Sequence, residues 1–582
     1  MLHRLPARVL SLRSAGLALL LGVLAMGCSD TPGDAVDMGT ADLRPSGLGP
    51  DEIPLKVAQR CPGDPGCLDQ GDGKLYAGAG RRDISPKVES YTDTNANGIW
   101  DEGEPFVDRN GNKAFDAFWM AGFGSGRQAQ DTATEKGAVD IGVQTRVFAR
   151  AIAMRQNQTT VVLVSVDSLG LFRDEAPEIQ KLLDKSLEID RLLIHATHCH
   201  ETADLVGGWG KNSLTYGVNE EYQRFVRVQI AAAVTEAVRA LKPVQVTIGS
   251  IPVQEPNGDL TPYVNDVRDP VIIDNTLHTM QFTAVDDMGK RTPVATIVNW
   301  AFHPESIGDK NKLISSDFVG YLRDAVEKVT SDTVIYVSGA LGGQIGPSGV
   351  NAYAPDGTRV SSSGFKKAEA VGTSVARFAL NAMADPNAVT VEGAKAKLSF
   401  RTTVFPAQVF NTLYHLASMA KIYRRSLCCF DTDQPISETN VPAVETEVTY
   451  LQLGPASIIT NPGELLPELF LGGYDGKHSG TYKIVDTAQQ NAPDLSKAPP
   501  PPYLVDIMDG ERRHRMTFGL TSDFVGYIVP RYNFVLSKDK PYFEDAPGDH
   551  YEETNSIGPL ADPQIAGTMR QLILDGRPNV AR

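Results

Sequence analysis

Between residues 159 and 337, short β-branched runs alternate with amphipathic patterns, and nothing else in the sequence restricts the fold as strongly. Thr159–Val166 (TTVVLVSV) is apolar at nearly every position, as a strand buried on both faces must be. A helical pattern follows over 176–187, and a second buried strand over Arg191–Ala196. Residues 220–241 then place apolar side chains three or four apart, the spacing of a long amphipathic helix. Residues 294–300 and 333–337 are further buried strands, with a helical stretch over 316–329 between them. Strands interleaved with helices in this way predict an α/β fold, a mixed sheet covered by helices on both faces. Residues 396–475 mix strands with a helical stretch at 409–423, and no internal repeat is evident.

In such a fold, ligands gather where strands end and loops begin. The strand Arg191–Ala196 runs directly into Thr197-His198-Cys199-His200-Glu201. Two histidines at i and i+2 on an extended segment point to the same side, so both imidazoles can converge on one ion. Zinc favours nitrogen ligands and, in catalytic sites, keeps one position open for water. Taken alone, the pair fits two hydrogen-bonded loop histidines equally well. A second buried strand, 294–300, ends in Asn299-Trp300-Ala301-Phe302-His303-Pro304 and delivers another imidazole from an equivalent strand end.

The N-terminus carries an export signal. Arg4, Arg8 and Arg13 precede an apolar run at 15–26, followed by Gly27 and Cys28. A basic segment, a short apolar segment and a small residue before the cut predict a signal peptide over 1–27. Leu24-Ala25-Met26-Gly27-Cys28 resembles the bacterial lipobox, in which Cys28 is the lipidated residue, although an ordinary signal peptide fits too. Acyl chains would anchor the protein firmly, at about 0.8 kcal/mol per buried methylene. Ser29 after the cysteine points to the outer membrane or cell surface.

Residues 28–74 are rich in Gly, Pro, Asp and Ser and are expected to form a flexible tether. Export permits disulfides, and Cys61-Pro-Gly-Asp-Pro-Gly-Cys67 closes a turn-rich loop that suits one. The pairing of Cys428 and Cys429 stays open. With 55 basic against 71 acidic residues, the net charge is −16. That balance excludes a general nucleic-acid binder and suits a protein that takes up divalent cations.

Residues 93–116 form an acidic insert. Asp93, Asn95, Asn97, Gly98, Asp101 and Glu104 fall at positions 1, 3, 5, 6, 9 and 12 of a calcium loop. Calcium takes six to eight oxygen ligands, and this spacing brings alternate side chains round one ion with glycine at the sharp turn. Asp108, Asn110, Asn112 and Asp116 begin a second, less regular version, with Gly111 at position 4 instead of 6. The flanks are not clearly amphipathic, so the expectation is a calcium-stapled loop with a structural ion. A hydrated, Asx-rich turn is the plainer alternative.

Taken together, several short elements resemble the neutral/alkaline, non-lysosomal ceramidase family. They are the strand followed by T-H-x-H, the Asn299-Trp300-x-x-His303-Pro304 element and Leu313-Ile314-Ser315-Ser316-Asp317. Arg82-Asp83-Ile84-Ser85-Pro86, Met120-Ala121-Gly122-Phe123-Gly124 and 144–150 belong with them, as do Asn461-Pro462-Gly463-Glu464, the run from Gly519 to Tyr527, and His550-Tyr551-Glu552. The likeness runs in order from about residue 78 to about 560. It implies a catalytic domain over 75–570, with the calcium insert as an addition and without the family's C-terminal immunoglobulin-like domain.

The resemblance also implies a zinc ion held by His198, His303, Glu464 and Tyr527, with Tyr532 and Tyr551 as neighbouring competitors for the tyrosine. His200 would then face the substrate or the metal's water. Zinc lowers the pKa of its water to about 7 and polarises a carbonyl oxygen. Attack on an amide would release a fatty acid and an amine. One stretch departs from the pattern. The family's G-D-V-S-P element, whose serine is needed for catalysis, is here Gly343-Gln344-Ile345-Gly346-Pro347. Gly343, Gln344 and Gly346 thus stand at an expected substrate-binding segment without its Asp and Ser. Cys199 replaces the middle threonine of T-H-T-H and is read as filling a small apolar site.

The leading expectation is a zinc-dependent amidohydrolase acting on a lipid-like or small amide substrate, anchored through its N-terminal lipid. The alternative is a non-catalytic or divergent metal-binding surface lipoprotein that binds lipid or glycan. A phosphoesterase using a second metal is a third reading.

Overall fold

The computed structural model of the protein describes residues 49, 51–62, 71–130, 138–260, 262–344, 350–537, 542–548 and 550–575. The expected signal sequence, Cys28, Cys67 and Gly346 lie outside them. Strand β1 (Val57–Arg60) precedes the main series. That series comprises β2 (Leu75–Asp83), β3 (Phe148–Gln156), β4 (Thr159–Val166), β5 (Arg191–Ala196), β6 (Lys242–Pro252), β7 (Thr276–Val285), β8 (Arg291–Trp300) and β9 (Thr333–Ser338). It forms a nine-stranded sheet in the order β5-β4-β3-β2-β6-β7-β8-β9, with Val389–Val391 paired to β6. The β4–β5 and β8–β9 pairs are parallel, and the other neighbours in that order are antiparallel. The sheet is mixed, as expected.

Four helices matter for the site: α1 (Glu175–Gln180), α2 (Glu220–Arg239), α3 (Asp317–Thr330) and α4 (Phe365–Met383). The Asn219 side chain starts α2 by accepting from the Tyr222 N–H, Glu220 and Glu221 occupy its first turn, and Arg239 its last. The 176–187 pattern is broken in two. α1 stops at Gln180, and Asp184 caps a separate short turn at Lys185–Leu187.

In a flat sheet β4 and β9 would stand about 29 Å apart, six strand spacings of about 4.8 Å. Yet the Ser165 hydroxyl on β4 donates to the Tyr336 carbonyl on β9 at 2.7 Å, and Arg150 on β3 reaches the Val334 carbonyl at 3.1 Å. The sheet therefore curls back on itself. Its bend lies between β2 and β6, which share only the pairs Tyr76–Pro243 and Ala77–Lys242.

The curl corrects one expectation. Helices cover only the outer face, with α2 over Ala149, Ala151 and Ala153, and α3 and α4 over Val298, Trp300, Val334 and Tyr336. The inner face is covered by strands instead. Ile152, Leu163, Phe282, Ile297 and Val337 share one core with Phe400, Leu451 and Met516 of a second sheet. That second sheet runs β1, Leu398–Gln408, Ala443–Leu453, Ala456–Thr460 and Arg515–Phe518.

The tether is corrected as well. Val57–Arg60 pairs antiparallel with Leu398–Gln408, and Ile53, Leu55 and Val57 pack on the core behind it. Their period-two spacing is a strand signal inside a Gly- and Pro-rich background. Cys61 is disulfide-bonded, whereas Cys199, Cys428 and Cys429 are free thiols. Among the described residues no helix is long and apolar enough to cross a membrane.

Candidate active site

Three strand ends meet at one point. β5 ends at Ala196, and the chain turns through Thr197, whose N–H donates to Val166, into His198. His198 adopts a left-handed backbone with φ +65°. A non-glycine residue held there costs about 1–3 kcal/mol and persists only where its surroundings enforce it. Here the enforcement is visible: the next amide, Cys199, donates to the Ser168 carbonyl, and that of His200 to Pro304. β8 ends at Trp300 and delivers His303, while the parallel pair Ala456–Thr460 and Arg515–Phe518 leads into a second parallel pair, Glu464–Leu465 and Tyr527–Ile528. In that register Glu464 lies directly beside Tyr527.

The glycine of Asn461-Pro462-Gly463-Glu464 has a steric reason. A Cβ on Gly463 would collide with the Gly526 carbonyl, which accepts the Glu464 N–H at 2.9 Å. Gly122 has another, since its φ is +100° and a Cβ would overlap the His200 ring.

Glu464 Oε2 stands 3.3 Å from His198 Nε2 and 3.1 Å from His303 Nε2, and the Tyr527 hydroxyl lies 3.5 Å from the same His303 nitrogen. Atoms that share a tetrahedral zinc at bond lengths of about 2.0–2.1 Å are separated by about 3.3 Å. The observed separations match that edge. Both Nδ1 atoms are already committed: His198 Nδ1 to the Leu169 carbonyl at 2.9 Å, and His303 Nδ1 to the Gln344 carbonyl at 3.1 Å. A carbonyl accepts only from an N–H, so each imidazole presents its Nε2 lone pair inward, the tautomer a metal ligand needs.

All four residues are buried. Burial acts to lower the His198 pKa, but the Glu464 carboxylate, with the Leu169 carbonyl and Glu305, outweighs it and leaves the pKa raised. Burial acts to raise the Glu464 pKa, and the two imidazoles outweigh it and hold it far below the usual carboxylate range. Burial also lifts the Tyr527 phenol well above 10. Two lone pairs and a carboxylate facing one another repel unless a cation or a proton sits among them, so the donor set fits a divalent metal.

His200 completes the wall. Its ring centroid lies 4.8 Å from that of His198 and 5.9 Å from that of His303, and ligand atoms of the three imidazoles lie within 4.8 Å of one another. Among the described residues neither of its ring nitrogens has a hydrogen-bond partner, although the residue is buried. Burial pushes its pKa well below 6.5, which keeps the ring neutral. Glu305 Oε2, 3.5 Å from His200 Nδ1, went unnoticed in the sequence. The i, i+2 reasoning applied to His198 and His200 would have flagged it, because Glu305 follows His303 by two. Phe123 meets the His200 ring edge-on at 5.0 Å, and Phe524 flanks His198 at 6.0 Å.

Of the competing tyrosines, Tyr551 stands one step out, its hydroxyl 3.2 Å from that of Tyr527, and Tyr532 packs against Tyr474. The Cys199 thiol donates to the Ser315 carbonyl at 3.2 Å and fills space. Two expected substrate contacts are corrected. The Gln344 amide is spent on the backbone, donating to Ala301 at 2.6 Å and Asp274 at 3.2 Å and accepting from the Asp274 N–H at 2.7 Å. Its role is to hold His303 through its own carbonyl. Gly343 is packed against Asp266, where any Cβ would collide with the carboxylate.

In the insert, Asp93 Oδ2 accepts from the Gly98 N–H at 2.7 Å, and the Asn95 and Asn97 amides donate to Asp101 Oδ2 at 2.8 and 2.6 Å. Glu104 accepts from the Thr94 and Asp101 N–H groups. The second loop repeats this layout at Asp108, Asn110, Asn112 and Asp116, with the Asn110 and Asn112 amides 2.7 and 2.9 Å from Asp116 Oδ2. It is more regular than its sequence suggests. Lys113 takes the left-handed conformation of Gly98, with φ +64° against +80°.

Residues 132–394 match the family described as neutral/alkaline non-lysosomal ceramidase, N-terminal. No curated protein sequence matches the chain. Among solved structures, neutral ceramidase from Pseudomonas aeruginosa is similar at 15% identity and TM-score 0.53, over 86% of this chain and 73% of that one. A ceramidase complexed with C2 is similar at 14% identity and TM-score 0.54, over 86% of this chain and 74% of that one. Residues 132–394 are thus similar to the N-terminal domain of the neutral/alkaline non-lysosomal ceramidases, and the chain shares the neutral ceramidase fold.

Proposed function

We propose that the protein is a zinc-dependent amidohydrolase that cleaves the N-acyl bond of a lipid-like substrate. The observation that carries this reading is the carboxylate of Glu464 set between two inward-facing Nε2 atoms, with Tyr527 beside them. His198, His303, Glu464 and Tyr527 would hold the ion. When bound, zinc supplies a Lewis acid that polarises a carbonyl oxygen and acidifies water to a pKa of about 7.

The chain's own residues do the rest. Neutral His200, with Nδ1 turned towards Glu305, takes a proton at Nε2 from the attacking water and returns it to the leaving amine. Tyr527, backed by the Tyr551 hydroxyl 3.2 Å away, would keep its oxygen on the ion beside the place the carbonyl oxygen takes. Phe123 and Phe524 keep bulk water from the imidazoles.

Zinc analysis of the purified protein together with turnover of a fluorogenic N-acyl-sphingosine tests the proposal. Stoichiometric zinc with hydrolysis supports it. Stoichiometric zinc without turnover on amide or ester panels would leave the metal-binding surface lipoprotein as the better reading.

Two further assignments belong here. The insert is proposed to take structural calcium at Asp93, Asn95, Asn97, Asp101 and Glu104, and at Asp108, Asn110, Asn112 and Asp116. A terbium-luminescence titration displaced by calcium tests it. The mature chain is proposed to be held at the outer membrane or cell surface through lipid on Cys28. Failure of labelled palmitate to enter the protein in cells would rule that out.

A further inference from the structure

Leu427, the residue before Cys428, and Val444, the residue after its backbone partner Ala443, line an apolar cleft together with Phe172, Tyr414, Tyr423 and Phe524. The cleft lies close to the metal residues, for Phe524 flanks His198 and Gly526 precedes Tyr527. Arg425 ties the cysteine segment to it, pairing with Asp523 and donating to the Phe524 carbonyl at 3.0 Å. Cys428 itself is pinned by a backbone pair with Ala443, N–H to carbonyl at 2.8 and 2.9 Å in the two directions.

The two sulfur atoms stand 2.7 Å apart. Non-bonded sulfurs normally keep a distance near twice the van der Waals radius, well beyond this, whereas a disulfide closes to about 2.05 Å. Adjacent cysteines in ordinary extended backbone point to opposite faces. Here Cys429 takes a left-handed conformation, φ +65°, which brings its thiol round to that of Cys428. For a residue with a Cβ that conformation is costly, and the convergence of the thiols is what it achieves. No other described thiol competes, because Cys199 is buried on the Ser315 carbonyl and Cys61 is already bonded. Cys429 is exposed, so a soluble oxidant can reach it.

We propose that Cys428 and Cys429 are a redox-closable vicinal dithiol, forming a disulfide with each other that locks the loop walling the apolar cleft. The step is thiol–disulfide exchange with a disulfide oxidant. The Cys429 thiolate attacks one oxidant sulfur, forming a mixed disulfide and releasing one thiol. Cys428 gives up its proton to water, its sulfur attacks that of Cys429, and the second oxidant thiol leaves. Two electrons and two hydrogens pass to the oxidant in total, and a dithiol reductant reverses the step. Burial and the neighbouring thiol push the Cys428 pKa up to about 12, so the exposed Cys429 is the entering nucleophile.

The full-length protein, equilibrated with oxidised glutathione and then alkylated, gives the test by peptide mass. The expected result is a peptide carrying both cysteines, unalkylated and lighter by two hydrogens, that recovers two alkyl groups after dithiothreitol. In Cys428→Ser the ring cannot close, so Cys429 should accumulate as a stable glutathione adduct that the wild-type protein does not retain. Wild-type protein that keeps both thiols alkylatable under oxidant overturns the proposal. So does wild-type protein that retains the glutathione adduct or forms disulfide-linked dimers.

Discussion

The proposed metal residues and the acidic insert hold their oxygen and nitrogen donors in opposite ways. In the insert every candidate ligand comes from a run of 24 residues, 93–116, and most of their hydrogen bonds close within each loop, with Lys211 on Asp101 and Asn219 on Asp116 as the outside contacts. At the buried site His198, His303, Glu464 and Tyr527 arrive from four separate segments, and each is held by a part of the molecule foreign to it. Leu169 orients His198, Gln344 orients His303, and Gly526 holds the Glu464 backbone. A contiguous loop can be occupied or emptied with little effect elsewhere. A convergent buried site couples the loss of one donor to the charge balance of all the others.

The most severe break of this contrast is Glu464→Gln. The substitution keeps the shape and removes the one charge that offsets a dication. Losing the Lewis acidity of the proposed ion would withdraw several kcal/mol of transition-state stabilisation, so hydrolysis should fall by at least about 10³-fold. Bound zinc should drop below stoichiometric, as elemental analysis would show. Retention of full zinc and activity would mean that the ion, if any, is held elsewhere. Asp93→Ala is the counterpart in the insert. Calcium at about 100 times its dissociation constant stabilises the folded protein by about 2.7 kcal/mol. The variant should therefore bind one calcium fewer and melt a few degrees lower, with hydrolysis unchanged. A parallel loss of hydrolysis would show that the two regions are not independent.

This difference also decides what could be read from the sequence. The insert is a spacing pattern whose turn layout was legible, apart from Lys113 standing in for a glycine. The histidines were legible because they follow β-branched runs whose ends are visible. Nothing local marks Glu464 or Tyr527, which became candidates through the family resemblance and are paired only by the register of two short strands. The curl of the sheet was illegible for a similar reason. It depends on the two-residue junction of β2 with β6 and on side chains such as Ser165 and Arg150 reaching β9. Gln344 was misread because its amide and its carbonyl do different work, and only the structure separates them. Gln344→Ala tests that division. It frees the Ala301 and Asp274 backbone groups and loosens the carbonyl that holds His303, so zinc affinity should weaken by about 10–100-fold. Unchanged affinity with a raised KM would restore Gln344 to the substrate.

The gentlest probe lies where the two regions touch. Glu201 follows His200, accepts from the Asn311 side chain at 2.7 Å and lies 3.6 Å from Arg127, whose guanidinium also donates to the His200 carbonyl. The next residue, Lys312, donates to the Gly98 carbonyl of the insert at 2.9 Å. Burial pushes the Glu201 pKa up to about 8 from 4.5, against the pull of Arg127. A carboxyl whose folded pKa is raised gives its full stability below the unfolded value and loses it as pH rises towards the folded one. The wild-type protein should therefore lose stability between about pH 4.5 and 8, and Glu201→Gln should flatten that slope in a denaturant titration series. An unchanged slope would assign the pH dependence to another group. If removing calcium alters the slope in wild type but not in the variant, the Glu201–Asn311–Lys312 path carries strain from the insert to the histidines, and the independence of the two regions is only approximate.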